Sequence, residues 1–179
     1  MRQTDYVILG LLNEGPLTGY EIKQLINIRF KFFWSESYGQ LYPALKSLKE
    51  RGLIEETATR ATSHRSQKSY RLEPKGLAAL KDWLAQPVEK ESVRLEILLK
   101  MYFSQLVDNR VMVNHLTTFQ QQHMKEAELL RMFQKELKSI LDQDPSHANI
   151  LQVVNFGIEV NEAYLNWCRE VIAFLKEAN

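Results

Sequence analysis

The sequence predicts a mainly α-helical protein with one small β-hairpin. Three observations predict this class. Short amphipathic stretches bounded by capping residues, glycines and prolines fill residues 1–52, two short β-prone runs flank a polar loop in residues 53–72, and long apolar stripes at helical spacing follow residue 108. A polar, proline-marked stretch at residues 86–93 separates these patterns, so we expect two domains, residues 1–86 and 87–179.

The first two helices are predicted from their boundaries. Thr4 or Asp5 is the expected N-cap of the first, and the Gly15–Pro16 pair ends it. Thr18 and Glu21 have the spacing of a capping box, which predicts a second helix that runs on through residue 33.

The third helix has a capping box of its own, formed by Ser37 and Gln40, and Gly52 suits the position just after its last turn. Pro43 lies within the pattern and cannot donate a helical hydrogen bond. The helix therefore either bends at Pro43 or starts later than Ser37.

The hairpin and the fourth helix come next. Residues 53–58 and 68–72 are the expected strands, and the loop between them is polar and too long for a tight turn. Four cations and no acid occur between residues 60 and 71, namely Arg60, Arg65, Lys68 and Arg71. Pro74 near the first turn and Pro87 beyond the end define a short fourth helix.

The C-terminal part predicts one short apolar helix over residues 94–106 and two long ones over 109–142 and 146–177. Each long helix would extend roughly 50 Å at 1.5 Å per residue. Apolar stripes of that length need a partner helix, most simply from a second copy of the chain, so we expect a homodimer.

Composition favours a soluble protein without a cofactor. Of the 179 residues, 45% are hydrophobic and 25% are charged. The single cysteine, Cys168, excludes an internal disulfide, and the four histidines lack metal-ligand spacing, so no metal site is expected. We see no signal peptide, membrane span or phosphate-binding loop, and expect a cytoplasmic protein that is not an enzyme.

Charge is unevenly distributed along the chain. Residues 1–86 hold 13 Lys/Arg against 9 Asp/Glu, a balance of +4, whereas the remainder holds 10 against 13, a balance of −3. The first domain is thus the part that would meet a polyanion.

Three helices followed by a hairpin is the order of a winged helix-turn-helix, in which the third helix enters the DNA major groove. Its first turns offer donors and acceptors from Ser37, Tyr38, Gln40 and Tyr42, and three leucines form its apolar back face. One of Tyr38 and Tyr42 is expected to pack inward, but the sequence leaves open which. The basic loop would be the wing, with Lys68 and Tyr70 near the phosphates.

Three stretches, "YVILGLLNEGPLTGYEI", "FFWSESYGQLYPALKSLKERGLIEE" and "KSYRLEPKGLAALKDWL", resemble the PadR-like transcriptional regulators. The match covers nearly all of residues 4–84, and the long helices resemble those of the family's longer subgroup, which form its dimer. Glu73 stands where the family usually has threonine, which puts the capping of the fourth helix in doubt. Lys49 stands where an acid is common.

The resemblance implies a homodimeric regulator of operator DNA, usually a repressor, and some members release DNA on binding small aromatic or phenolic acids or hydrophobic drugs. It implies roles in DNA contact, to bases or backbone, for these residues: Tyr20, Ser37, Gln40, Tyr42, Lys46, Arg65, Lys68 and Tyr70.

An aromatic effector would need several aromatic side chains and a cation or imidazole. The candidates in the C-terminal part are Arg94, Tyr102, His123, Tyr164 and Trp167. The alternative for His123 is a hydrogen-bonded core or interface residue, and Asn155 and Asn161 could set helix register in a dimer.

The alternative function is a winged-helix protein–protein interaction module that uses the long helices as an assembly platform and binds no DNA. Four cations without an acid in the expected wing argue for DNA, because a wing that binds protein has no need of them.

Overall fold

The structure is a computed structural model that describes residues 1–57, 68–89 and 93–177. The chain divides into two compact units, Met1–Lys90 and Glu91–Asn179. The first unit contains α1 (Gln3–Leu12), β1 (Leu17–Thr18), α2 (Gly19–Leu25), α3 (Tyr38–Glu50), β2 (Ile54–Thr57), β3 (Ser69–Leu72) and α4 (Pro74–Leu84). The second contains α5 (Glu96–Tyr102), α6 (Asn109–Ser139) and α7 (Ser146–Glu177).

The first two helices begin at capping boxes. At α1 the cap is Arg2, whose backbone N–H donates to Asp5 Oδ2 at 3.0 Å, so the prediction of Thr4 or Asp5 as cap is wrong. The box at α2 is confirmed, with Thr18 N–H to Glu21 Oε2 at 2.7 Å and Glu21 N–H to Thr18 Oγ1 at 3.2 Å. The α-helical hydrogen bonding of α2 ends at Leu25, earlier than predicted, and the next five residues, Ile26–Phe30, form a π-helical turn.

Helix α3 starts directly after Ser37, so a later start is wrong. Pro43 lies inside the helix, where it leaves the carbonyl of Gly39 without its usual donor. Gly52 follows the last turn with a φ of 67°, a left-handed conformation that costs glycine little. The N–H groups of Gly52 and Leu53 donate to the carbonyls of Lys49 and Leu48, both at 3.0 Å, which closes the C-terminus as predicted.

The hairpin is confirmed, and a third strand joins it. The order is β1-β3-β2, and all pairs are antiparallel. In the register, Glu56 faces Tyr70, and Tyr70 faces Leu17 on its other side. Strand β1 is only two residues long, too short for an alternating pattern to reveal it.

The core of the first unit lies between α1, α2, α3, the sheet and α4. Its side chains with no exposed surface are Ile8, Leu9, Ile22, Ile26, Leu41, Ala44 and Leu48. Helix α4 begins with Pro74 at its first position, as predicted, and the Glu73 side chain makes no cap hydrogen bond. The ring of Trp83 stacks on Tyr6 at 4.5 Å and joins α4 to α1. This arrangement is the predicted winged helix-turn-helix.

The second unit is built on the long pair α6 and α7, which have 31 and 32 residues. The pair is antiparallel, since Asn109 Nδ2 donates to the Leu175 carbonyl at 3.2 Å and His147 Nδ1 lies 2.8 Å from the Ile140 carbonyl. The mainly helical fold is confirmed. None of the helices in the described ranges has the length and apolar content needed to cross a membrane.

The apolar stripe of α6 has a partner within its own chain. Its members Met112, Leu116, Ala127 and Leu130 are at most 5% exposed in the single chain. The expectation that a second copy covers this stripe is therefore wrong, because the break before α7 lets the chain fold back and supply the partner helix itself.

Candidate nucleic-acid interface

Helix α3 has one buried face and one polar, exposed face. Leu41, Leu45 and Leu48 are 0 to 1% exposed, whereas Tyr38 and Tyr42 are 44% and 50% exposed. The two tyrosine rings lie 6.0 Å apart and nearly parallel, at 19°. The expectation that one of them packs inward is wrong, because positions four apart lie on the same face of a helix.

Gln40 is both a cap residue and a candidate contact to DNA. Its Oε1 accepts from the Ser37 N–H at 2.9 Å and from the Ser37 hydroxyl at 2.8 Å, and its own N–H donates to Ser37 Oγ at 3.2 Å. Among the described residues the Gln40 Nε2 amide has no partner, so it is the part of this side chain that can donate to a base or phosphate.

The segment that precedes α3 is fixed by contacts that the sequence did not indicate. The Lys23 ammonium donates to the carbonyl of Glu36 and, at 2.7 Å, to Asn27 Oδ1, and it lies 6.0 Å from the centroid of the Tyr38 ring. Trp34 Nε1 donates to Glu36 Oε1 at 3.0 Å. The Glu36 residue is 4% exposed, and within the described ranges its Oε2 has no partner. Helix α2 is thereby tied to the first residue of α3.

The start of α2 lies beside Tyr42. A Cβ at Gly19 would be 3.0 Å from Tyr42 Cε1, so the ring packs directly on the backbone there. Tyr20, the next residue, is 52% exposed, and its hydroxyl accepts from Gln24 Nε2 at 2.8 Å. Tyr20 and Tyr42 thus have the surface position expected of contacts to DNA.

The cations of the wing have acidic neighbours. Lys68 Nζ lies 3.0 Å from Glu56 Oε1, and Lys49 Nζ lies 2.5 Å from Glu56 Oε2. Arg71 lies 2.7 Å from Glu55 Oε2. The loop has no acid of its own, but strand β2 supplies acids to its base. The expected contact Arg65 and its neighbour Arg60 lie outside the described residues.

These ion pairs shift pKa values in the expected directions. The hydrogen bond from Lys49, followed by that from Lys68, lowers the pKa of Glu56, and Glu56 in turn raises the pKa of Lys68. Lys46 is less constrained, since its side chain is 78% exposed and its Nζ lies 3.8 Å from Glu50 Oε1.

Tyr70 lies in the core of the first unit, with 9% of its surface exposed. Burial raises the pKa of its hydroxyl, which therefore stays protonated and able to donate. The expected phosphate contact stays a prediction, and it rests on the hydroxyl alone because the ring is used in packing.

Three of the five effector candidates lie close together. The ring of His123 lies 4.7 Å from Tyr164, and its Nδ1 lies 2.7 Å from Asn161 Oδ1. Tyr164 and Trp167 line an apolar cleft of about 240 Å³ with Leu95, Ile97, Leu98, Phe119 and Ala163. Tyr102 is 77% exposed and packs against Phe103, and Arg94 is exposed. Neither residue belongs to the cleft lining. Arg94 and Tyr102 therefore lie apart from the other three candidates, contrary to the expectation.

Asn161 fixes the tautomer of His123. Its Nδ2 donates to the Gly157 carbonyl at 2.7 Å, so its Oδ1 must accept, and His123 Nδ1 carries the hydrogen.

Among the described residues no group of His, Cys, Asp and Glu could hold a metal ion. Cys168 is fully buried, and burial raises the pKa of its thiol.

Comparison with known proteins agrees with this fold. Residues 8–82 match the profile of the "Transcriptional regulator PadR-like family", and residues 93–176 match that of "Virulence activator alpha C-term". The negative transcriptional regulator PadR of Bacillus subtilis is 30% identical over 181 residues, covering 98% of each chain.

Two solved structures of that regulator are also similar. Its complex with operator DNA has a TM-score of 0.85 at 29% identity and covers 98% of both chains. Its complex with p-coumaric acid has a TM-score of 0.73 at 28% identity and covers 98% of this chain and 99% of the other.

The fold, the exposed face of α3 and these matches define a DNA-binding transcriptional regulator of the winged-helix class. More narrowly, the chain belongs to the PadR-like family. The predictions of the family and of a protein that is not an enzyme are thereby confirmed, since the family consists of transcriptional regulators.

Proposed function

We propose that this regulator is a repressor that binds operator DNA as a homodimer and releases it on binding a small aromatic acid. The observation that carries DNA recognition is α3 itself. Its leucines are 0 to 1% exposed, whereas Tyr38 and Tyr42 are about half exposed on the opposite face. Such a helix presents polar groups on a rigid support, as entry into a major groove requires.

Each candidate has a role that its surroundings allow. Gln40 Nε2 donates to a base acceptor, and Ser37, which contacts Gln40, and the half-exposed Tyr42 are further base or backbone contacts. Tyr20, at the start of α2, contacts a phosphate. The other contacts to the DNA backbone come from Lys46, Arg65, Lys68 and the Tyr70 hydroxyl. The relative in complex with operator DNA supports this assignment. Its name as a negative regulator supports repression.

Exposed apolar side chains in the second unit support the homodimer. They include Leu98, Leu99, Phe103, Leu106, Met132, Phe156 and Phe174, each 47 to 76% exposed. Of these, Leu99, Phe103 and Leu106 line one groove, and a contiguous exposed apolar patch is typical of a protein interface. Two copies related by a twofold axis would present two α3 helices to half-sites about 34 Å apart.

The aromatic cleft supports the effector. Tyr164 and Trp167 offer ring faces in an apolar lining, and edge or face contacts with a bound ring are favourable there. His123, next to Tyr164, adds an imidazole. The relative in complex with p-coumaric acid makes hydroxycinnamic acids the first class to test.

Gln40→Glu tests recognition by α3. Glutamate keeps the oxygen that accepts from Ser37 and therefore keeps the capping box, so the melting temperature should not change. It removes the amide donor, which should lower the ratio of operator to non-operator affinity by about 5- to 150-fold, since a good base contact contributes about 1–3 kcal/mol of discrimination.

The measurement is a titration of both duplexes at two salt concentrations. Using the ratio removes the general repulsion that the new carboxylate exerts on any DNA. An unchanged ratio would show that Gln40 reads no base. If the unaltered chain binds neither duplex at either salt concentration, the protein-interaction alternative is favoured instead.

A further inference from the structure

Glu56 joins the recognition helix to the wing. It lies on β2 opposite Tyr70, with Nζ of Lys49 in α3 at 2.5 Å and Nζ of Lys68, the residue before β3, at 3.0 Å. Its side chain is 23% exposed, less than those of the two lysines. Lys49 follows Tyr42 by seven residues, which places both on the same side of α3. An acid therefore lies between cations of the two elements that are expected at DNA.

This arrangement reduces the positive charge that a phosphate would meet. Two ammonium groups and one carboxylate carry a net charge of +1, and the lowered pKa of Glu56 keeps it ionised at neutral pH. Exposed lysine–carboxylate pairs contribute little to stability, so a phosphate can take the place of the carboxylate. The carboxylate would remain nearby, however, and continue to repel the phosphate.

We infer that Glu56 limits the affinity for DNA by holding Lys49 and Lys68 in the free protein and by opposing the approach of phosphates. The inference rests on the proposed binding of DNA by α3 and the wing. Binding to non-operator DNA depends on phosphate contacts alone, so Glu56 weakens it most. The ratio of operator affinity to non-operator affinity is therefore higher than it would be without Glu56.

The neighbouring residue offers a matched control. Glu55 lies on the same strand with its side chain on the opposite face, and it pairs with Arg71 at 2.7 Å. It is 53% exposed and has no contact with the cations of α3 in the described structure, and Arg71 keeps a second acidic partner, Glu73 at 3.3 Å, when Glu55 is replaced. Glu55→Gln and Glu56→Gln therefore change the net charge equally but alter different ion pairs.

The experiment compares the two full-length variants with the unaltered chain on a non-operator duplex across a salt series. Glu56→Gln should bind several-fold more tightly and steepen the slope of log affinity against log salt by about 0.9, the change expected for one additional phosphate contact. Glu55→Gln should change affinity less than twofold. Adding Lys68→Ala to Glu56→Gln should return the slope to its original value.

The possible outcomes distinguish a failure of the inference about Glu56 from a failure of the proposed DNA binding. Equal gains in both variants would show an effect of net charge and overturn the role of Glu56. Weaker binding by Glu56→Gln would show that the carboxylate positions the lysines for DNA, which also overturns it. If no chain in the set binds either operator or non-operator DNA, the proposed function fails, and the inference fails with it.

Discussion

Single residues in the first unit show how tightly the recognition helix and the wing are built. Gln40 uses its oxygen to cap α3, and its nitrogen has no partner among the residues that the structure describes. Gly76, in α4, faces the interior of the first unit. A Cβ added there would be 2.1 Å from the carbonyl oxygen of Leu53 and 2.8 Å from Leu72 Cδ1. Only glycine lets α4 approach the start of the hairpin this closely.

Gly76→Ala should therefore destabilise the protein by about 1–3 kcal/mol, because the contact is with backbone that cannot rotate away. Gly10 in α1 is the matched control, since a Cβ there meets nothing within 4 Å. Gly10→Ala should raise stability by about 0.5–1 kcal/mol through better helix propensity. Urea unfolding measures both, and equal stability of the two variants would contradict the close approach at Gly76.

At the level of helices, the second unit depends on contacts between α6 and α7. His123 on α6 meets Asn161 on α7 at 2.7 Å, and Gln134 meets Asn155 at 2.7 Å. The sequence left open whether His123, Asn155 and Asn161 belong to a ligand site or set helix register in a dimer. In the structure these pairs join α6 to α7 of one chain, and the His123 ring also lies 4.7 Å from the ring of Tyr164, which lines the cleft.

The proposed effector site can be followed through tryptophan fluorescence. Adding p-coumaric acid should quench the emission of Trp167, which lines the cleft, and Trp167→Phe should remove most of that change. Trp83→Phe is the control, because Trp83 stacks on Tyr6 in the first unit. Tyr164→Ala should weaken binding by up to about tenfold, the loss of one aromatic contact. Quenching that persists in Trp167→Phe would place the ligand elsewhere.

The whole molecule combines a unit for DNA with a unit that has exposed apolar surface. Within the second unit, α7 covers Met112, Leu116, Ala127 and Leu130 of α6, but other apolar residues of the unit stay exposed. Leu99, Leu106 and Phe156 are 61 to 76% exposed there. A second copy of the chain would remove such surface from water at a gain of about 25 cal/mol per Å².

Light scattering on the purified chain should accordingly give a mass of about 42 kDa, twice the 21.0 kDa of one chain. The mass should hold at micromolar concentration, because an operator with two half-sites requires both copies together. A mass near that of one chain, combined with protection of a single half-site in a footprint, would contradict the homodimer.

The features that the sequence predicted well are those whose signals are local. Thr18 with Glu21 and Ser37 with Gln40 marked the starts of α2 and α3, because a cap is made within four residues. Gly52 marked an end for the same reason. The apolar periods of α6 and α7 were long enough to identify both helices, and the family resemblance followed from residues in these same elements.

Contacts between distant residues could not be predicted in this way. Lys23 reaches the Glu36 carbonyl across 13 residues, and β1 pairs with β3 although it is two residues long. Glu56 could be placed between Lys49 and Lys68 only after the register of β2 and β3 was known, and the long loop leaves that register open in the sequence.

The helices, the caps of α2 and α3, the hairpin and the family thus follow from the order of residues, because short-range hydrogen bonds and the helical period are properties of neighbouring positions. The folded chain alone determines which partner covers each stripe, which tyrosines are exposed and which acids meet the basic residues. Those outcomes depend on packing between segments far apart in sequence, where the same residue has several possible partners and geometry selects one.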